Sequence, residues 1–289
     1  MCGRFAITTD PALLAERIEA INEVPAAADG GPNYNVAPTD NIMAVVSRHT
    51  NPDDQPTRRV RLMRWGLVPP WTKAGRDGLP ASGGPLLINA RADKVSTAPV
   101  YRSAAEHRRC LVPMDGFYEW RAEPGGSARL DGGEAKLGPP HEPGGSARLG
   151  GGEVKLGPSH EPGGQPGRKA RKTPFYIHGD GATLFAAGLW SVWRPDRRCD
   201  PLLSVTIITT AAVGQLVGIH DRMPLILPEN CWDRWLDPDA PADAGLLARP
   251  PDVRGIALRE VSRLVNSVRN NGPELVAAAE PQPEQGYLL

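Results

Sequence analysis

Arg109–Trp120 reads RCLVPMDGFYEW: an apolar run, a turn at Asp115-Gly116, and a second run that carries one acid, Glu119. Two short strands around a tight turn account for this pattern, and it recurs along the chain. Asn41–Ser47 is a short apolar strand, and Arg58–Trp65 alternates polar with apolar residues. Phe175–Ile177 and Thr183–Trp193 flank a turn at Gly179-Asp180-Gly181 and read as a hairpin. Ser204–Ala212 is a buried strand, Gly218–Pro228 a loop leading into a strand, and Arg254–Val261 another strand. Helices are fewer. Asp10-Pro11, followed by Leu13, Leu14, Arg17, Ile18 and Ile21, forms a capped amphipathic helix. Asn230–Leu236 starts another, and Pro32–Asp40 is turn-rich. The expected class is α+β: one β-rich domain, a mixed and partly barrel-like sheet with peripheral helices.

One segment stands outside this pattern. Glu123–His141 repeats almost verbatim as Glu142–His160, and its start recurs at Glu161–Gly164. The unit is rich in Gly and Pro and poor in large apolar side chains, so it cannot bury enough surface to offset chain entropy. Residues 121–172 therefore read as a disordered expansion of a hairpin loop, which entropy tolerates well. The domain is expected over residues 2–275, interrupted by this insert, with 276–289 as a tail.

The chain has 289 residues, with 33 Lys and Arg against 33 Asp and Glu. Zero net charge argues against wrapping long duplex DNA but permits a local basic groove. The cysteines are Cys2, Cys110, Cys199 and Cys231, with no C-x-x-C pair; they read as reduced thiols, with no metal site and no cofactor indicated. The longest mostly apolar run, Leu202–Val213, is too short to span a bilayer. A cytoplasmic, nucleoid-associated monomer is the expectation.

Candidate chemistry gathers at the start, Met1-Cys2-Gly3-Arg4-Phe5. Trimming of Met1 leaves Cys2 with an α-amine, of ordinary pKa roughly 7.7–8.0, beside a thiol. An amine attacks an aldehyde to give an imine, and a neighbouring thiol can then close a five-membered ring on the same carbon. A thiol with a base beside it can instead attack an acyl carbon. Burial as a small hydrophobe is the third reading of Cys2. Glu119, between Tyr118 and Trp120, is a carboxyl whose pKa burial would raise, suited to proton transfer or else facing solvent. His220 stands with Asp221 and Arg222 in an apolar context; it is an acid/base or a structural histidine. Asn89 is an amide able to fix an amine, or a turn cap. Arg4, Arg91 and Arg222 are candidate phosphate ligands, and Trp65 and Trp71 candidate stacking platforms for unpaired bases.

Taken in order, these blocks resemble a known family. They are Met1–Phe5, Tyr34-Asn35-Val36-Ala37-Pro38, Trp65-Gly66-Leu67-Val68-Pro69 with Trp71, Asn89-Ala90-Arg91, Asp115–Trp120, Ile219–Pro224, and Val261-Ser262-Arg263 with Val268-Arg269-Asn270. The order is similar to that of the SOS-response-associated peptidase (SRAP) proteins, which process abasic sites. The resemblance implies a sensor of abasic sites in single-stranded DNA. In it the Cys2 amine forms a Schiff base with the open deoxyribose and the thiol closes a thiazolidine. It also implies lyase-like and self-cleaving activity. Asn89 would hold the amine and sugar, Glu119 would move protons, and His220, helped by Thr209, would act on the sugar oxygen or leaving phosphate. Arg4, Arg91 and Arg222 would grip the backbone, with Trp71 near the DNA path. The family usually has Glu where this chain has Asp93, which puts a supporting role there in doubt. Two rivals are an N-terminal-nucleophile amidohydrolase or peptidase of the glutamine amidotransferase type and a non-covalent single-strand binder.

Overall fold

The computed structural model describes residues 2–28, 30–81, 83–123 and 171–280. In chain order the elements are β1 (Phe5–Ile7), α1 (Pro11–Arg17), β2 (Ala20–Asn22), β3 (Asn33–Val36), β4 (Asn41–Arg48), β5 (Thr57–Trp65), β6 (Asn89–Arg91) and α2 (Pro99–His107). Then follow β7 (Arg109–Met114), β8 (Gly116–Ala122), β9 (Lys172–His178), β10 (Leu184–Trp193), β11 (Leu202–Ala211), β12 (Arg222–Pro224), α3 (Trp232–Leu236), α4 (Ala244–Ala248) and β13 (Ala257–Glu260). Strands dominate, and the class is α+β.

The Asp10 carboxylate accepts from the N–H groups of Ala12 and Leu13, at 2.7 and 3.1 Å, and Pro11 opens α1. The helix stops at Arg17, so Ile21 is not on it. Parallel pairing of Ala20–Asn22 with Arg58–Val60 takes that residue into a strand. Pro32–Asp40 is not all turn either: Asn33–Val36 forms β3 and pairs with β1.

Two sheets share the strands. The smaller runs β13-β9-β8-β1-β3; the larger runs β12-β11-β10-β7-β4-β5-β2, with β6 beside β11. A parallel contact of Ser204 and Val205 with Arg64 and Trp65 joins β11 to β5. That contact closes β11-β10-β7-β4-β5 into a barrel, which leaves those strands no free edge.

The two glycine turns expected from the sequence are corners. β7 pairs with β10, Met114 opposite Leu184, in the large sheet. β8 and β9 are neighbours in the small one. The expected hairpin of 175–193 is therefore corrected: β9 and β10 lie in different sheets. They form half of a ribbon that bends at Asp115-Gly116 and at 179–181, as strands do when they switch sheets. A Cβ on Gly116 would meet the Ile177 carbonyl oxygen at 2.5 Å, so the corner requires glycine. The ribbon leads at its far end into the repeat segment, where the Glu123 N–H donates to the Arg171 carbonyl. Of residues 121–172, read as disordered, Arg121 and Ala122 end β8 and Lys172 opens β9; 124–170 lie outside the described residues.

Arg109 is a buried cation satisfied wholly by carbonyls, those of Trp235, Ala105, Glu106, Asp237 and Ala240. It ties β7 to the end of α2 and to the chain after α3. Lysine keeps the charge but not the planar five-donor fork. Arg109→Lys is expected to lower the unfolding free energy by about 2 kcal/mol, because buried carbonyls lose their donors. Chemical denaturation measures this, and an unchanged midpoint would contradict it.

Candidate functional site

The antiparallel register of β1 and β8 builds the site. Phe5 faces Phe117, and the Tyr118 N–H donates to the Arg4 carbonyl at 2.9 Å. Glu119 follows on β8, close enough for its charge to act on Cys2. Cys2 is fully buried, its Sγ 3.9 Å from the Arg4 carbonyl oxygen. Burial, and after it the negative charge of Glu119, push the thiol pKa far up. Glu119 is itself only 3 % exposed. Burial raises its pKa, while positive neighbours, His220 among them, pull the other way. The desolvated carboxyl read from the sequence is thus present, and it lies within electrostatic reach of both Cys2 and His220.

Asn89 arrives from the other sheet. Parallel pairing of β6 with β11 sets Asn89 beside Ile207 and Arg91 beside Thr209. Asn89 Nδ2 donates to the Cys2 carbonyl at 2.8 Å, while Asn89 Oδ1 is buried without a hydrogen-bond partner. An acceptor left unpaired in this way is costly unless a donor arrives.

His220 sits just before β12, with 28 % of its side chain exposed. Its Nδ1 lies 2.7 Å from the Asp221 carboxylate and 3.0 Å from the Arg222 N–H. Adjacent side chains usually diverge, but here the turn into β12 brings them together.

The phosphate candidates separate. Arg91 is 57 % exposed and forms a two-pronged pair with Asp93, both contacts at 2.9 Å. Asp93 thus braces Arg91 despite its shorter side chain. Arg222 lies across β11 and is held by Thr209, through Oγ1 (3.2 and 3.1 Å) and through the carbonyl. Thr209 has no exposed surface, so its assignment as a DNA contact is corrected: it is the bracket for Arg222. Arg4 is part-buried, and its NH1 donates to Asn35 Oδ1 at 2.6 Å and to the Val265 carbonyl at 2.9 Å. Asn35 also donates to the Ser267 and Asn270 carbonyls, both at 2.9 Å, so the pair clamps the 265–270 segment. Asn35 belongs to the Tyr34–Pro38 block that carries the family resemblance, and its role here is to hold this segment.

The two tryptophans also part company. Trp65 is fully buried, edge-on to Phe5 at 5.2 Å, with Nε1 donating to the Ile88 carbonyl. It cannot stack on a base. Trp71 is 63 % exposed and borders a groove of about 700 Å3 with Leu67, Pro69, Leu79, Leu86 and Leu202. Among the described residues, no group of three or more His, Cys, Asp or Glu is placed to hold a metal, and no helix is long and apolar enough to cross a membrane.

Comparison with known proteins gives this geometry a context. The sequence model of a family described as SOS response associated peptidase (SRAP) matches residues 1–130 and 161–268. The chain is 32% identical over 279 residues to the abasic site processing protein YoqW of Bacillus subtilis (strain 168), covering 96% of this chain and 99% of that one. It is 32% identical over 255 residues to the abasic site processing protein HMCES of Gallus gallus, covering 86% of this chain and 67% of that one. A crystal structure of a Bacteroides thetaiotaomicron protein shares the fold, with a TM-score of 0.68 at 21% identity over 96% of this chain and 100% of that one.

Proposed function

The chain belongs to the SOS response associated peptidase (SRAP) family, and from that premise we propose that it captures abasic sites in single-stranded DNA through Cys2 after loss of Met1. The observation that carries the reading is Asn89: its Nδ2 already donates to the Cys2 carbonyl, and its Oδ1 is buried without a donor. A freed Cys2 α-amine would supply that donor.

The chemistry then follows in order. The neutral amine attacks C1′ of the open sugar, and Asn89 Oδ1 accepts one of its N–H groups. Glu119, whose pKa burial raises, gives its proton to the departing carbinolamine hydroxyl; water leaves, the nitrogen's proton passes to the carboxylate, and the imine remains. The thiol adds across the C=N bond, its sulfur to carbon and its proton to nitrogen, closing a thiazolidine. His220, partly exposed, is positioned for acid/base work on the sugar oxygen or on a leaving 3′ phosphate, which is the lyase-like step. Arg91 and Arg222 hold flanking phosphates, and Trp71 offers a face to an unpaired base. The raised thiol pKa favours this order, with amine first and neutral thiol second. It disfavours the amidohydrolase or peptidase reading, which needs a thiolate nucleophile. A purely non-covalent binder leaves the Cys2, Asn89 and Glu119 cluster without a role.

We extend the proposal to a single domain over 2–275, a monomer, and a cytoplasmic and nucleoid-associated location. The direct test is a single-stranded oligonucleotide with one abasic site, resolved by denaturing electrophoresis. A retarded band is expected from protein whose intact mass lacks Met1. None is expected with a tetrahydrofuran site, which has no aldehyde. Absence of the band from Met1-free protein would overturn the reading.

A further inference from the structure

Arg48 ends β4, and the antiparallel ladder sets Arg59 and Arg61 of β5 opposite Val46 and Ala44. Residues facing each other across a ladder project to the same side, so these three arginines share a face. The Arg48 guanidinium lies 5.3 Å from the centre of the Trp190 ring, and that of Arg108 lies 5.9 Å from the same centre. Four cations therefore gather on one side of the barrel.

Glu23 pairs with Arg59 and Arg61. Among the described residues, neither Arg48 nor Arg108 has a carboxylate partner. Burial, then the charges of Arg61, Arg108 and Arg59, make the Arg48 cation less favourable, with Glu23 alone opposing. Asp239 lies 3.0 Å from His49, and Glu106 lies 3.9 Å from His107. Four arginines against Glu23 leave an excess of positive charge among these paired groups. None of these arginines belongs to the small sheet that carries Glu119.

We propose that this face is a second phosphate-contact surface, which holds the backbone of the nucleic acid flanking the segment captured at Cys2. The inference rests on the DNA reading above. An extended polyanion fits better than one small anion. Arg59 and Arg61 alone stand about 7 Å apart along their strand; Arg48 ends β4, and Arg108 lies between α2 and β7. Trp190 is only 2 % exposed, so the face offers charge but no stacking platform, and it takes phosphates without regard to base.

The test uses the full chain and the double variant Arg48→Gln/Arg108→Gln, with thermal unfolding compared to the parent. Binding of undamaged single strands is measured by fluorescence anisotropy over a salt series, with oligonucleotides of about 8 and about 40 nucleotides. On the long strand, affinity is expected to fall about tenfold and the log–log salt slope to become shallower by about 1.4, the contribution of two phosphates. On the short strand, affinity and the yield of abasic adduct stay unchanged. Unchanged affinity on the long strand, or an equal loss on both lengths, overturns the surface. The milder variant Arg48→Lys is expected to retain the parent's salt slope, because it keeps the charge. The two readings fail separately. Abasic adduct without a length effect sinks this surface alone. A length effect without any adduct sinks the Cys2 chemistry and leaves the surface standing.

Discussion

Cys2→Ala is expected to reduce the denaturation-resistant adduct with abasic single-stranded DNA to background while leaving non-covalent binding in place. The thiol is what makes capture permanent: an imine alone hydrolyses, whereas ring closure removes the C=N bond that water attacks. The Ala variant, once trimmed, still has an α-amine beside Asn89 and Glu119. Borohydride reduction should therefore trap its imine as a stable amine linkage. Placing an extra Ala before Cys2 should abolish both the spontaneous and the trapped product, because the amine is displaced from Asn89. Losing a small buried side chain costs about 1 kcal/mol, so a folded variant is expected and denaturation can verify it. A stable adduct from folded Cys2→Ala would remove the thiazolidine from the account.

Glu119→Gln is expected to slow capture by about 100-fold, the low end for loss of one positioned acid, with little change in DNA affinity. The wild-type advantage should shrink as pH rises through the raised Glu119 pKa, because the carboxyl then loses the proton it must donate. Single-turnover rates across pH 5–8 measure this, and parallel pH profiles would deny Glu119 its proton role. Stability should move the other way. Glu119 binds its proton more tightly folded than unfolded, so its contribution to stability is intact below the ordinary carboxylate pKa of about 4.3. That contribution is lost as pH rises through the raised folded value. Glutamine carries no such penalty. The variant should therefore melt higher than wild type at neutral pH, and the two should converge in acid.

Much of the fold was legible because its signals are local. Asp10 and Pro11 announced a helix start by residue type, and the alternation in 58–65 and 109–120 announced strands. The helix end was misjudged, since a period that includes Ile21 cannot report that β5 will capture that residue. The turns at Asp115-Gly116 and Gly179–Gly181 were found, yet whether a turn closes a hairpin or bends a ribbon depends on distant partners: β10 for β7, and β8 for β9.

The site divides along the same line. A cysteine second in the chain, a carboxyl between two aromatics, an Asn-Ala-Arg strand and a histidine beside an acid were all readable, because each is a matter of residue type and close neighbours. Sequence alone thus determined the strand-rich class, the cap of α1 and the chemical inventory near Cys2. Tertiary structure decided which members of that inventory are buried and which are exposed. Trp65 and Trp71 look alike in sequence, but one is packed on Phe5 and the other borders an open groove. Arg4, Arg91 and Arg222 look alike, but Arg4 clamps a loop through Asn35 and Thr209 holds Arg222 in place. Burial and pairing across sheets are properties of residues far apart in the chain, and no local pattern encodes them.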